Sequence, residues 1–120
     1  MDTGATHHMT GDLNDLDMIA PFEGDQKITV GNGECLPVKN TGSNSLHTQS
    51  KTLYLATILH VPSLAASLLS VYTLCKDNNC YVILDKYGFW VQDKATKTIL
   101  MRGKSSGGLY YIPKSLSFKN

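Results

Sequence analysis

Apolar and polar residues alternate through most of the chain. The alternation is densest in Leu53-Tyr54-Leu55-Ala56-Thr57-Ile58-Leu59-His60-Val61, where strict period two sets Leu53, Leu55, Leu59 and Val61 on one face. That is the pattern of a strand with one side on a core. Ile28-Thr29-Val30 and residues 34–38 flank Gly31-Asn32-Gly33. Glycine and asparagine tolerate the positive φ that tight hairpin turns need, so this segment predicts a β-hairpin. Further strands are expected over residues 80–84, 88–92, 98–101 and 109–112, punctuated by turn-rich stretches at residues 85–88, 93–97 and 105–108. Short strands at near-regular intervals are the signature of a sandwich or barrel, an all-β class. Two places break the pattern. Leu68, Val71, Tyr72 and Cys75 fall at i, i+3, i+4 and i+7, predicting a short helix over residues 67–76, capped by Ser67 and ended near Asn78-Asn79. A weaker helical turn is expected over residues 11–18, where Leu13 and Leu16 share a face.

A length of 120 residues suits one domain, taken as residues 1–114, with a polar tail at residues 115–120. Eleven basic residues against ten acidic ones give a net charge of +1, which supplies no basic groove for nucleic acid. The apolar runs are shorter than a membrane span and no signal-peptide pattern opens the chain, so a soluble, cytoplasmic protein with no membrane partner is expected. Cys35, Cys75 and Cys80 are odd in number and lack a C-x-x-C pair, as free thiols in a reducing compartment would be. His7, His8, His47 and His60 do not combine with them at finger-like spacing, so no metal site is expected.

Candidate chemistry centres on Asp2-Thr3-Gly4-Ala5. An aspartic protease needs two carboxylates close enough to share one proton, because two like charges at that distance cannot both ionise. Glycine lets the backbone approach the catalytic water, and a threonine hydroxyl can hold the loop by a hydrogen bond. The tripeptide also occurs as an ordinary Asx-type turn, so its context decides.

That context is a set of motifs in order. Asp2-Thr3-Gly4-Ala5-Thr6-His7-His8-Met9-Thr10 resembles the catalytic segment of copia-type retrotransposon proteases. Ile28-Thr29-Val30-Gly31-Asn32-Gly33 with Leu36-Pro37-Val38 is similar to that family's glycine-bearing hairpin. Ile58-Leu59-His60-Val61-Pro62-Ser63-Leu64-Ala65 leading to Leu68-Leu69-Ser70-Val71 looks like its proline turn and Leu-Leu-Ser element. Residues 108–113 look like its junction with the segment before integrase. The resemblance implies a small retropepsin-like closed β-barrel lobe with one short helix. Asp2 would be the catalytic aspartate, Thr3 the bracing hydroxyl and Gly4 the turn. Gly31, Asn32 and Gly33 would form the substrate-binding flap, and Ala5, Leu68, Leu69 and Ser70 would support the loop. No cofactor is implied.

No other aspartate in the chain precedes Thr-Gly or Ser-Gly, so the second carboxylate must come from a second copy, in a homodimer that closes its flaps over a polyprotein peptide. The resemblance implies that such a module would process Gag-Pol, in the cytoplasm or within virus-like particles. The family carries an apolar strand ahead of the aspartate, where this sequence has Met1 alone; the expected lobe lacks its N-terminal strand, and the alternative is a non-catalytic β-barrel remnant. His7 and His8 read as ordinary surface or partly buried positions, and Phe89, Trp90, Tyr110 and Tyr111 as core or interface aromatics.

Overall fold

The computed structural model describes residues 1–24, 27–29, 33–106 and 109–111. Ten strands, one 3-10 turn and one α-helix follow in order: β1 His8–Thr10, the 3-10 turn Leu13–Asp15, β2 Asp17–Pro21, β3 Lys27–Thr29, β4 Cys35–Pro37, β5 Asn40–His47, β6 Thr52–His60, α1 Val71–Asn78, β7 Cys80–Leu84, β8 Gly88–Asp93, β9 Ile99–Ser106 and β10 Leu109–Tyr111. They build a four-stranded sheet in the order β1-β6-β5-β2, a second in the order β10-β9-β8-β7, and the separate β3–β4 pair. The all-β reading holds. The closed barrel does not: among the described residues each sheet ends in two edge strands, and none returns to pair with its own first strand.

Strand β6 shows why one sequence feeds two cores. Its ladder with β5 pairs Gly42 with Ile58 and Asn44 with Leu55, leaving one residue on β5 opposite two on β6. The extra residue turns the remainder of the strand over. Leu53, Leu55 and Ile58 therefore enter one cluster with Leu46, Leu69, Leu74, Cys80, Phe89 and Val91, drawn from both large sheets and the helix. Leu59 and Val61 enter another with Met9, Leu36 and Val38. The single apolar face expected from strict alternation is thus two faces on opposite sides.

The helix begins later than its periodicity predicts. Instead of helix, Leu68 pairs with Met9 of β1 and Ser70 with Asp2: the Met9 amide donates to Leu68 O at 3.0 Å and the Leu68 amide to Met9 O at 2.8 Å. Here Leu-Leu obeys period two, with Leu69 in the first core and Leu68 against the second. Ser70, not Ser67, is the N-cap, its side chain accepting from the Thr73 amide, and Asn79 ends the helix at φ 49°. The buried face is Thr73, Leu74 and Asn78, whereas Tyr72 is 62% exposed. The helical turn expected at residues 11–18 shrinks to the 3-10 turn Leu13–Asp15, capped by Asp12, and β2 follows at once.

The two strands expected around Gly31-Asn32-Gly33 pair antiparallel, with Ile28 opposite Leu36 and Thr29 opposite Cys35, while residues 30–32 of the expected turn lie outside the described residues. Strands 80–84 and 88–92 match β7 and β8 within a residue, and the strand expected at 98–101 extends to Ser106. Ile112 and the tail at residues 115–120 lie outside the described residues. Among those described, no helix is long and apolar enough to cross a membrane.

Candidate active site

Asp2 sits half-buried in the loop before β1, and its backbone is fastened on both sides to the strap at residues 69–71. Its amide donates to Leu69 O at 2.9 Å and its carbonyl accepts from the Val71 amide at 3.1 Å, a short parallel bridge to Ser70. Oδ1 of its carboxylate accepts the Gly4 amide at 2.7 Å, and no other hydrogen bond reaches the carboxylate from the described residues. A Cβ at Gly4 would stand 3.3 Å from Asp2 Oδ1, so a larger residue there would need the carboxylate to give by a few tenths of an ångström.

The loop is braced from below by hydroxyls. Ser70 Oγ donates to Ala5 O at 2.6 Å, while Thr73 Oγ1 donates to Thr6 O at 2.8 Å. Ser70 Oγ also accepts the Thr73 amide at 3.1 Å, so the helix cap and the loop brace are one atom. Thr3, given the bracing role by resemblance, is exposed and has no hydrogen bond with the described residues. Within one chain that role falls to Ser70 and Thr73.

Leu68, Leu69 and Ser70 are gathered under the loop, and Ala5 packs on the second core. That core also takes Ile28 and Leu36 from the β3–β4 hairpin, so hairpin and loop share one foundation. Gly33 closes the hairpin at φ 85°, in the left-handed region that favours glycine; Gly31 and Asn32 lie outside the described residues.

Other carboxylates have local duties. Asp12 caps the 3-10 turn, Asp15 Oδ2 accepts Thr10 Oγ1 at 2.6 Å, and Asp85 Oδ1 holds its turn through the Tyr87 and Gly88 amides. Asp93 accepts Lys51 Nζ at 2.5 Å and the Thr96 amide, which together hold its carboxyl down at about 2. The described residues contain no group of His, Cys, Asp and Glu able to hold a metal ion. An open depression of about 400 Å³ lined by Thr48, Ile99, Met101 and Arg102 shares no residue with the Asp2 loop.

Sequence reasoning missed two residues. His8 is fully buried, where a surface or partly buried position is expected from sequence, and its Nδ1 accepts the Ser70 amide at 3.0 Å. Thr73 carries half the brace. For Thr73 the signal was its place three residues beyond Ser70, where a cap makes its bond; for His8 it was the flanking apolar Met9 in a short strand.

The Asp2 loop, the strap beneath it and the β3–β4 pair all fall within the stretch that matches a known family. The pattern of the family described as "Pol polyprotein, beta-barrel domain" matches residues 1–80, and the chain belongs to that family. More particularly, it is 41% identical over 113 residues to the retrovirus-related Pol polyprotein from transposon RE1 of Arabidopsis thaliana, and 39% identical over 113 residues to that from transposon RE2. Each alignment covers 94% of this chain but 8% of the relative, so the chain spans a small part of a Pol polyprotein's length. No solved structure matches it.

Proposed function

We propose that this chain is the aspartic endopeptidase module of a copia-type retrotransposon polyprotein, acting as a homodimer on Gag-Pol. The observation that carries the reading is the Asp2 carboxylate, set on a braced loop with one oxygen oriented by the Gly4 amide and no other partner among the described residues. A two-fold dimer would bring the two copies of Asp2 together, one ionised and one protonated, titrating as a unit. The ionised carboxylate takes a proton from water as that water attacks the scissile carbonyl, and the protonated one gives its proton to the carbonyl oxygen. Collapse of the tetrahedral diol breaks the C–N bond, with a proton passing to the leaving amine. The β3–β4 hairpins would cover the extended peptide, each from its own protomer.

The test is peptide or Gag-fragment cleavage at mildly acidic pH by the chain, by Asp2→Asn, and by the chain with an apolar strand joined ahead of Met1. Cleavage lost in Asp2→Asn, by about four orders of magnitude or more, and blocked by a statine peptide, supports the enzyme. Absence of cleavage in both Asp2-containing forms favours a non-catalytic β-domain.

A further inference from the structure

Beneath the Asp2 loop lies a titratable ring that the proposed chemistry leaves unused. His8 is fully buried and its Nδ1 accepts the Ser70 amide at 3.0 Å. Its Nε2 is the buried side-chain polar atom without a hydrogen-bond partner among the described residues. Since Nδ1 is an acceptor, the proton of the neutral ring is on Nε2. A second proton has only Nδ1 to occupy, where it would set N–H against N–H and break the link to Ser70.

Ser70 is the worst place for such a break. It bridges Asp2, caps α1 through Oγ and braces Ala5 with the same oxygen. We propose that His8 is a positioning residue for the Asp2 loop: the neutral ring fixes Ser70 and, through it, the loop, and protonation in acid releases both.

The charged groups acting on the ring are few. Asp77 on α1 favours the proton and His7, its neighbour on the chain, opposes it. The paired strand β6 presents Ile58 opposite His8, and residues 67–70 contain no ionisable side chain. Burial outweighs Asp77 and holds the ring down at about 4. For catalysis the inference rests on the aspartic-endopeptidase reading; for the loop's geometry it does not.

The experiment is an NMR titration of the full ¹⁵N-labelled chain from pH 7 to 3, following the His8 ring nitrogens and the Ser70 and Gly4 amides, with cleavage rates measured over the same range. The parent should show the Nε2–H tautomer, and both amides should shift with the His8 midpoint. In His8→Asn, Oδ1 replaces Nδ1 as acceptor and does not titrate, so the Ser70 amide should stay flat. The parent's kcat/KM should carry a loss of about twofold at pH 4 and about tenfold at pH 3 that His8→Asn lacks. A Ser70 amide in the parent that ignores the titration of His8 overturns the proposal, whether or not the variant folds. If no form cleaves peptide, the strand-extended chain included, the endopeptidase reading fails and the amide titration still decides the role of His8.

Discussion

One hydroxyl, that of Ser70, serves the N-cap of α1 and the brace on Ala5, with Thr73 as a third partner at 3.1 Å. Because Ser70 is fully buried, Ser70→Ala strips a cap and leaves the Ala5 carbonyl unpaired, and should cost about 2–3 kcal/mol in urea unfolding. Asn78 works similarly at the other end of the helix. Its side-chain amide takes both free backbone groups of Tyr54, donating to the carbonyl at 2.9 Å and accepting the amide at 2.7 Å, as a neighbouring strand would. Asn78→Ala should cost about 2–3 kcal/mol by the same measurement, with Asn78→Asp nearly as damaging because it cannot donate. The cysteines differ in reach. Cys35 is exposed and Cys75 half-buried, whereas Cys80 lies in the first core, its thiol pushed up to about 12 by burial and then by Cys75. A thiol-titrating disulfide reagent should modify Cys35 first, Cys75 more slowly, and Cys80 only on unfolding; fast labelling of Cys80 would contradict this packing.

At the scale of elements, legibility followed side-chain chemistry. Strands β6 and β8 announce themselves through buried apolar residues, β7 through its run of Tyr, Val, Ile and Leu, and the β3–β4 pair through the Gly31-Asn32-Gly33 signal between two β-prone runs. Strand β5 does not: Asn-Thr-Gly-Ser-Asn-Ser-Leu-His reads as loop, yet Gly42, Asn44 and Leu46 alternate inward. Its inward surface is small because it lies under Leu16: a Cβ on Gly42 would come 2.8 Å from both Asp17 O and Leu16 Cβ. Strand β2 was equally hidden, since none of its residues is buried and only pairing with β5 defines it. The helix was located but misphased, since Leu68 and Leu69 serve extended pairing, and tertiary partners on either side override the local period. The bulge on β6 had no local mark at all, being set by the β5 register. Of the candidate site, the Asp2 turn and the Leu68-Leu69-Ser70 strap could be placed through resemblance; the buried state of His8 could not, because it depends on three segments distant in sequence.

For the molecule as a whole, two cores share the first sheet, and the second sheet is joined to it through the larger core and through Lys51, which spans to Asp93 and to Asn78 O at 2.9 Å. Acid should loosen this assembly in two stages. The ring of His8, held at about 4 against an ordinary 6.5, takes its proton in the unfolded chain first. Its stabilisation is therefore present above pH 6.5 and drains as pH falls towards 4, a loss of roughly 3 kcal/mol. Asp93, lowered from 3.8 to about 2, adds stability that is lost only below that first window, as pH falls from 3.8 to about 2. Melting temperatures recorded against pH should decline across both intervals, with the upper decline reduced in His8→Asn; a flat profile from pH 6.5 to 4 would contradict the buried neutral ring. In the proposed enzyme two copies complete one site, each supplying Asp2. The most direct test is cleavage rate at fixed parent concentration as Asp2→Asn chain is added, with all chains kept concentrated enough to pair. Random pairing predicts about half the rate at equimolar variant and about a tenth at ninefold excess. A rate that stays proportional to the parent alone, whatever the excess, would contradict a shared site.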